Sequence, residues 1–136
     1  MITPGKTGLD LGGEGFHNIF VDAAIADAQR AGIIVHAIYA LGAGHGGHSP
    51  WQNLWAQHYL AQLAEETGGE AYSLGFGAPV SLTPYFSQLA ERLKHQYWLT
   101  FVGEPGEKPD LKPVRVVTEI PNVEIVAAKK AYISGP

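Results

Sequence analysis

The sequence predicts an α/β chain: a partial parallel sheet with flanking helices, followed by a small antiparallel β meander. Three observations carry this expectation. Ile33–Leu41 (IIVHAIYAL) is a nearly unbroken apolar run bounded by glycine, the pattern of a central parallel strand covered on both faces. Tyr59–Leu74 (YLAQLAEETGGEAYSL) shows helical spacing at Leu60, Leu63 and Ala64, a glycine stop at Gly68, and a strand restarting at Glu70. From Gln96 onward the hydrophobic period changes to two, which places a boundary near His95 and divides the chain into 1–95 and 96–136.

Taken in order, Met1–Phe16 reads as the tail of a strand followed by a long glycine-rich loop. Asn18 is a cap for the first helix, whose expected buried stripe is Val21, Ala24, Ile25 and Ala28, with Gly32 as its stop. Gly42–Ser49 is a second glycine-rich loop, after which Ser49 offers a cap and Pro50 a first helical position. Trp51, Trp55, Tyr59 and Leu63 follow at spacing four, giving this helix a bulky face that is most economically core. After a strand at Ala71–Leu74, Thr83-Pro84 repeat the cap, and Phe86, Leu89, Ala90 and Leu93 form the stripe of a third amphipathic helix. Tyr97–Val102, Pro113–Ile120 and Val123–Ala128 read as strands, the last two joined at Pro121-Asn122.

A chain of 136 residues with 46% hydrophobic and 16% charged content is globular, and 17 glycines with nine prolines make it rich in loops. The net charge of −4, with nine scattered basic residues, argues against nucleic acid or an anionic membrane as a partner. The absence of cysteine removes thiol chemistry and zinc ribbons and leaves the compartment open. Ala31–Leu41 is too short for a bilayer, which takes about 20 apolar residues, and Ile2–Gly15 lacks the apolar core of a signal peptide. No membrane insertion is expected.

Among candidate sites, Gly42, Gly44 and Gly47 fit a G-x-G-x-x-G turn after a predicted strand, the context for a bound pyrophosphate. Against it, the next strand ends in Gly75, Phe76 and Gly77 rather than in a ribose-binding carboxylate, and the helix begins late. His45 and His48 could share a metal with His17 or His36, but no carboxylate or cysteine lies beside them. His36 reads as a hydrogen-bonded core histidine, and Glu65 and Glu66, being adjacent, as solvating charges on different sides of their helix. Gly5-Lys6-Thr7 lacks the rest of a P-loop, and no serine sits in a nucleophile elbow. No catalytic residue and no cofactor is expected.

Taken together, AGIIVHAIYA, LAEETGGEAYSL, HQYWLTF, PVRVVTE and VEIVAAKKAY resemble the C-terminal half of von Willebrand factor A-like domains, in the bacterial, acidobacterial-type VWFA-related subgroup. The resemblance spans roughly Ile19 to Tyr132. It implies a Rossmann-like sheet, a β extension, and binding of protein partners through a metal-ion-dependent adhesion site. In this chain the threonine-aspartate-glycine turn of that site aligns with Thr3-Pro4-Gly5, where Pro4 can supply no carboxylate, so the site is degenerate. The opening strands and first metal-site loops would precede Met1. The expectation is a fragment of a longer protein, or a sheet that another copy completes.

The function expected is a non-enzymatic interaction or assembly module that binds protein, including another copy of itself. Trp51, Trp55 and Tyr59 are its candidate contact residues. Relatives of this kind are commonly exported. The alternative is a small α/β protein that binds a nucleotide or a metal ion at Gly42–His48.

Overall fold

A computed structural model describes residues 18–40, 50–74, 81–104, 106 and 108–134. Among them run α1 (Ile19–Arg30), β1 (Ala37–Ala40), α2 (Pro50–Thr67), β2 (Ala71–Leu74), α3 (Thr83–Lys94), β3 (Asp110–Pro113) and β4 (Lys130–Ile133). The architecture is mixed α/β, with β1 and β2 in a two-stranded parallel sheet and β3 and β4 in a two-stranded antiparallel one.

Both of the first two helices end as their glycines require. Gly32 and Gly68 have φ of 64° and 81°, a region that a side chain disfavours. At the end of α1, the Gly32 amide donates to Gln29 O and the Ile33 amide to Ala28 O. At the end of α2, the Gly68 amide donates to Glu65 O and the Gly69 amide to Ala64 O. Each is a Schellman closure, in which two carbonyls left over by the helix find donors in the chain leaving it. At its other end α1 starts on Asn18, whose side chain accepts from the Phe20 amide at 3.0 Å.

The β1–α2–β2 unit is a parallel crossover, with Ala37 opposite Ala71 and Ala40 opposite Leu74. β1 is shorter than the expected Ile33–Leu41, and the reason is its partner. Gly68 and Gly69 turn the chain just before β2, so no ladder can form ahead of Glu70. Ile33 belongs to the closure of α1, the Val35 amide donates to Thr67 Oγ1 at 3.0 Å, and His36 Nδ1 accepts from the Glu70 amide at 3.2 Å. Ile33 and Ile34 are exposed, while Ala37 and Leu74 are buried, so the run is not covered on both faces along its length. Leu41 lies outside the described residues.

The aromatic ridge of α2 is not the core face. A row at spacing four advances about 40° per step, so from Trp51 to Leu63 it winds about 120° around the helix. Trp51 and Leu63 therefore cannot face one neighbour, and Trp51 is 71% exposed. The buried residues are Ala64 and Thr67, small enough to bring the helix end against the strands. Asn53 lies nearer the start of the helix and accepts from the Tyr39 hydroxyl of β1 at 3.2 Å. In α1 Ile25 is buried as expected and Val21 and Ala28 are half-buried, whereas Ala24 is exposed and Gln29 is buried. Gln29 is tolerated inside because its side chain donates to Glu66 O at 2.8 Å across the helix pair.

α3 occupies the expected residues, but its cap is Leu82, with the Ser81 hydroxyl rather than Thr83 accepting from the Thr83 amide. Tyr85 and Leu89 are its half-buried positions, whereas Phe86, Ala90 and Leu93 are exposed. Of the expected apolar stripe, only Leu89 is thus partly covered.

In the β extension, Tyr97–Val102 and Val123–Ala128 form no ladder, and of Pro113–Ile120 only Pro113 lies in one; the pairing is Asp110–Pro113 with Lys130–Ile133. The ladder forms where the hairpin is anchored. β3 and β4 contact α1, and the Lys129 amide donates to Glu66 O at 3.1 Å, whereas residues 119–127, around the turn, are exposed. The joint is nevertheless the expected one. Asp110 faces Ile133, Pro113 faces Lys130, and the Val114 amide donates to Lys129 O, so the pairing centres on Pro121-Asn122. Asn122 has φ 61° after a proline, as a type II turn takes at its third residue.

Two substitutions separate the roles of the glycines. A Cβ on Gly32 would meet nothing within 4 Å, so Gly32→Ala bears only the left-handed cost, about 1–2 kcal/mol. A Cβ on Gly68 would sit 2.6 Å from the Ala128 nitrogen, so Gly68→Ala should lower the unfolding midpoint well beyond Gly32→Ala in thermal melts. Thr67→Val removes the acceptor for the Val35 amide and should cost about 1–3 kcal/mol in chemical denaturation, with Thr67→Ser near wild type.

Candidate functional site

Three features were open as sites: the histidine in the central strand, the acidic pair at the end of α2, and the aromatic helix face. His36 stands just before β1 and Glu70 just before β2, so the parallel register brings them side by side. The Glu70 carboxylate accepts from the Tyr72 hydroxyl at 2.7 Å and pairs with Arg92 of α3 at 2.6 Å, all at Oε2. Tyr85 of α3 meets Tyr72 edge to face, with ring centroids 5.8 Å apart. This cluster fastens α3 to the sheet through Arg92 and Tyr85.

Its electrostatics follow from that placement. Burial, and then the positive charge of Arg92, lower the pKa of His36 below the ordinary 6.5, with Glu70 partly opposing. Since Nδ1 accepts from the Glu70 amide, the neutral ring carries its proton on Nε2, which is buried without a hydrogen-bond partner among the described residues. Burial, the hydrogen bond to Glu70 and the Glu70 charge raise the pKa of Tyr72. The expected core histidine is thus half satisfied. Glu70, Tyr72 and Arg92 carried no signal in the sequence; the one hint was Arg92 on the same helix face as Tyr85 and Leu89.

Glu65 and Glu66 converge where divergence was expected. Lys129 Nζ reaches Glu65 Oε1 at 2.8 Å and Glu66 Oε1 at 3.1 Å, and the hydrogen bond to Glu65 leads in raising the lysine pKa. Adjacent side chains point apart on a helix, but at its last turn a single long amine spans both. The pair ties the β extension to α2 and is not arranged as two facing carboxylates.

On α2, Trp55 and Tyr59 stack at 5.9 Å and are half-buried, while Trp51 projects into solvent. Gly42, Gly44, Gly47, His45 and His48, and also Thr3-Pro4-Gly5, lie outside the described residues. Among the described residues, no group of three or more His, Cys, Asp or Glu could hold a metal ion, and no helix is long and apolar enough to cross a membrane. No known protein family, curated protein or solved structure matches this chain.

The cluster makes a pH prediction whose sign is fixed. Between the lowered pKa of folded His36 and the ordinary value of 6.5, the unfolded chain binds more protons than the folded one. The stabilisation is therefore full above pH 6.5 and is lost as pH falls through that window. Urea titrations should show wild type losing more stability than His36→Gln between about pH 7 and about pH 5; parallel profiles would refute the assignment.

Proposed function

We propose that this chain is a non-enzymatic protein–protein interaction and assembly module of von Willebrand factor A-like type, with a degenerate metal-ion-dependent adhesion site. The observation that carries the reading is the sheet of the β1–α2–β2 unit, which among the described residues ends after two strands. Parallel sheets normally have more strands and cover on both faces, because each outer edge leaves a row of amides and carbonyls unpaired. A strand donated by a partner satisfies those groups.

The order of a parallel crossover followed by a further helix supports the Rossmann-like, von Willebrand factor A-like reading, alongside the sequence phrases that carry the resemblance. The ridge of Trp51, Trp55 and Tyr59 offers a second contact face, with Trp51 outermost. The reading assigns no reaction to the His36 cluster, whose carboxylate is already held by Tyr72 and Arg92.

Light scattering on the purified chain, with hydrogen exchange at Ala37–Ala40 and Ala71–Leu74, tests this reading. The expected result is a stable oligomer in which those amides are protected. A monomer in which they exchange rapidly would overturn self-assembly.

A further inference from the structure

We propose that His36 is an acid-operated latch for α3: taking up a proton at Nδ1 releases this helix from the β1–β2 sheet while the α1–α2 pair stays in place. The faces of the sheet set the arrangement. With Ala37 opposite Ala71, alternation puts His36, Ile38, Glu70 and Tyr72 on one face and Ala37, Tyr39 and Ala71 on the other. Asn53 of α2 reaches Tyr39, whereas Arg92 and Tyr85 of α3 meet Glu70 and Tyr72. α3 thus lies over the face that carries His36.

This helix is the lightly held one. It has no buried residue, and both members of its ion pair to the sheet are partly exposed. By contrast, α1 and α2 each carry two buried residues and are joined by the Gln29 side chain on Glu66 O. A weakly docked element opens by itself at small cost, and a 12-residue helix without a docking surface is marginal in water. Loss of one contact is therefore enough to shift α3.

Protonation acts on that contact directly. Nδ1 accepts from the Glu70 amide at 3.2 Å, so a proton there sets two donors against each other with no acceptor between them. The negative charge acting on the imidazolium is the Glu70 carboxylate, whose Oε2 already serves Arg92 and the Tyr72 hydroxyl. The new cation therefore repels the Arg92 guanidinium and competes with it for one carboxylate. Tyr72 stays neutral, because burial and Glu70 raise its pKa. His95, at the end of α3, pairs with Glu91 of the same helix and acts within it rather than on its docking. Burial and Arg92 hold the pKa of His36 below 6.5, so the docked state disfavours the proton. The latch is closed above pH 6.5 and opens as pH falls through the lowered value. Opening takes Tyr85 off Tyr72 and uncovers that face of the sheet.

Hydrogen exchange of the full chain at about pH 7 and about pH 5, corrected for the intrinsic effect of pH on exchange, tests the latch. Protection across α3 should fall at least about threefold more than protection across α1. His36→Asn, which keeps a neutral acceptor near the position of Nδ1, should abolish that difference. Arg92→Gln should leave α3 poorly protected at both pH values, with α1 as in wild type. This second variant does not depend on how His36→Asn folds. An equal loss in α1 and α3, an acid loss that persists in His36→Asn, or wild-type protection of α3 in Arg92→Gln would each overturn the proposal.

Discussion

The end of α2 is the constraint on which the rest of the structure depends. Thr67 is fully buried, and its hydroxyl accepts from the Val35 amide while lying 2.8 Å from Leu63 O and 3.1 Å from Ala64 O. One oxygen therefore ties the helix to the chain entering β1. The next two residues, Gly68 and Gly69, close the helix and pass so near other backbone that neither has room for a side chain, with Gly68 under Ala127 and Ala128 and Gly69 against Val35. The Glu66 carbonyl, left over by the helix, takes the Gln29 side chain of α1 and the Lys129 amide of the β extension. Four stretches of chain meet at one helical turn. They meet there because leftover carbonyls need donors and glycine allows donors to come close.

Away from this junction the attachments become fewer. α3 is held by an ion pair and a ring contact, and Arg92 and Glu70 are each partly exposed, so that pair contributes modestly. The hairpin is anchored at its base by Lys129 and runs out to Pro121-Asn122 with exposed valines and isoleucines. The buried apolar residues among those described are Ile25, Ala37, Ala64 and Leu74, while many large apolar side chains face solvent. Exposed apolar surface is the physical ground for an assembly reading, because association removes it from water.

Local chemistry was legible in the sequence. Asn18 started its helix and Gly32 and Gly68 ended theirs as their chemistry requires, and Pro121-Asn122 set the turn on which the hairpin pairing is centred. These features depend on interactions within a few residues, so neighbouring letters contain them. The parallel pairing of β1 with β2 followed from two apolar strands separated by one helix.

What only the tertiary structure decided were the choices that depend on a partner distant in sequence. Periodicity marked the bulky ridge of α2, but the face that packs is Ala64 and Thr67, because close approach selects small residues. Alternation marked strands at Tyr97–Val102, Pro113–Ile120 and Val123–Ala128, but hydrogen bonds form a ladder only where α1 and Glu66 hold the hairpin. Glu70, Tyr72 and Arg92 carry no pattern until the sheet register and the docking of α3 place them on one another. The sequence by itself determined where elements stop and turn, since those energies are local. Tertiary contact decided which faces and strands are used, since burial and pairing each need a second surface.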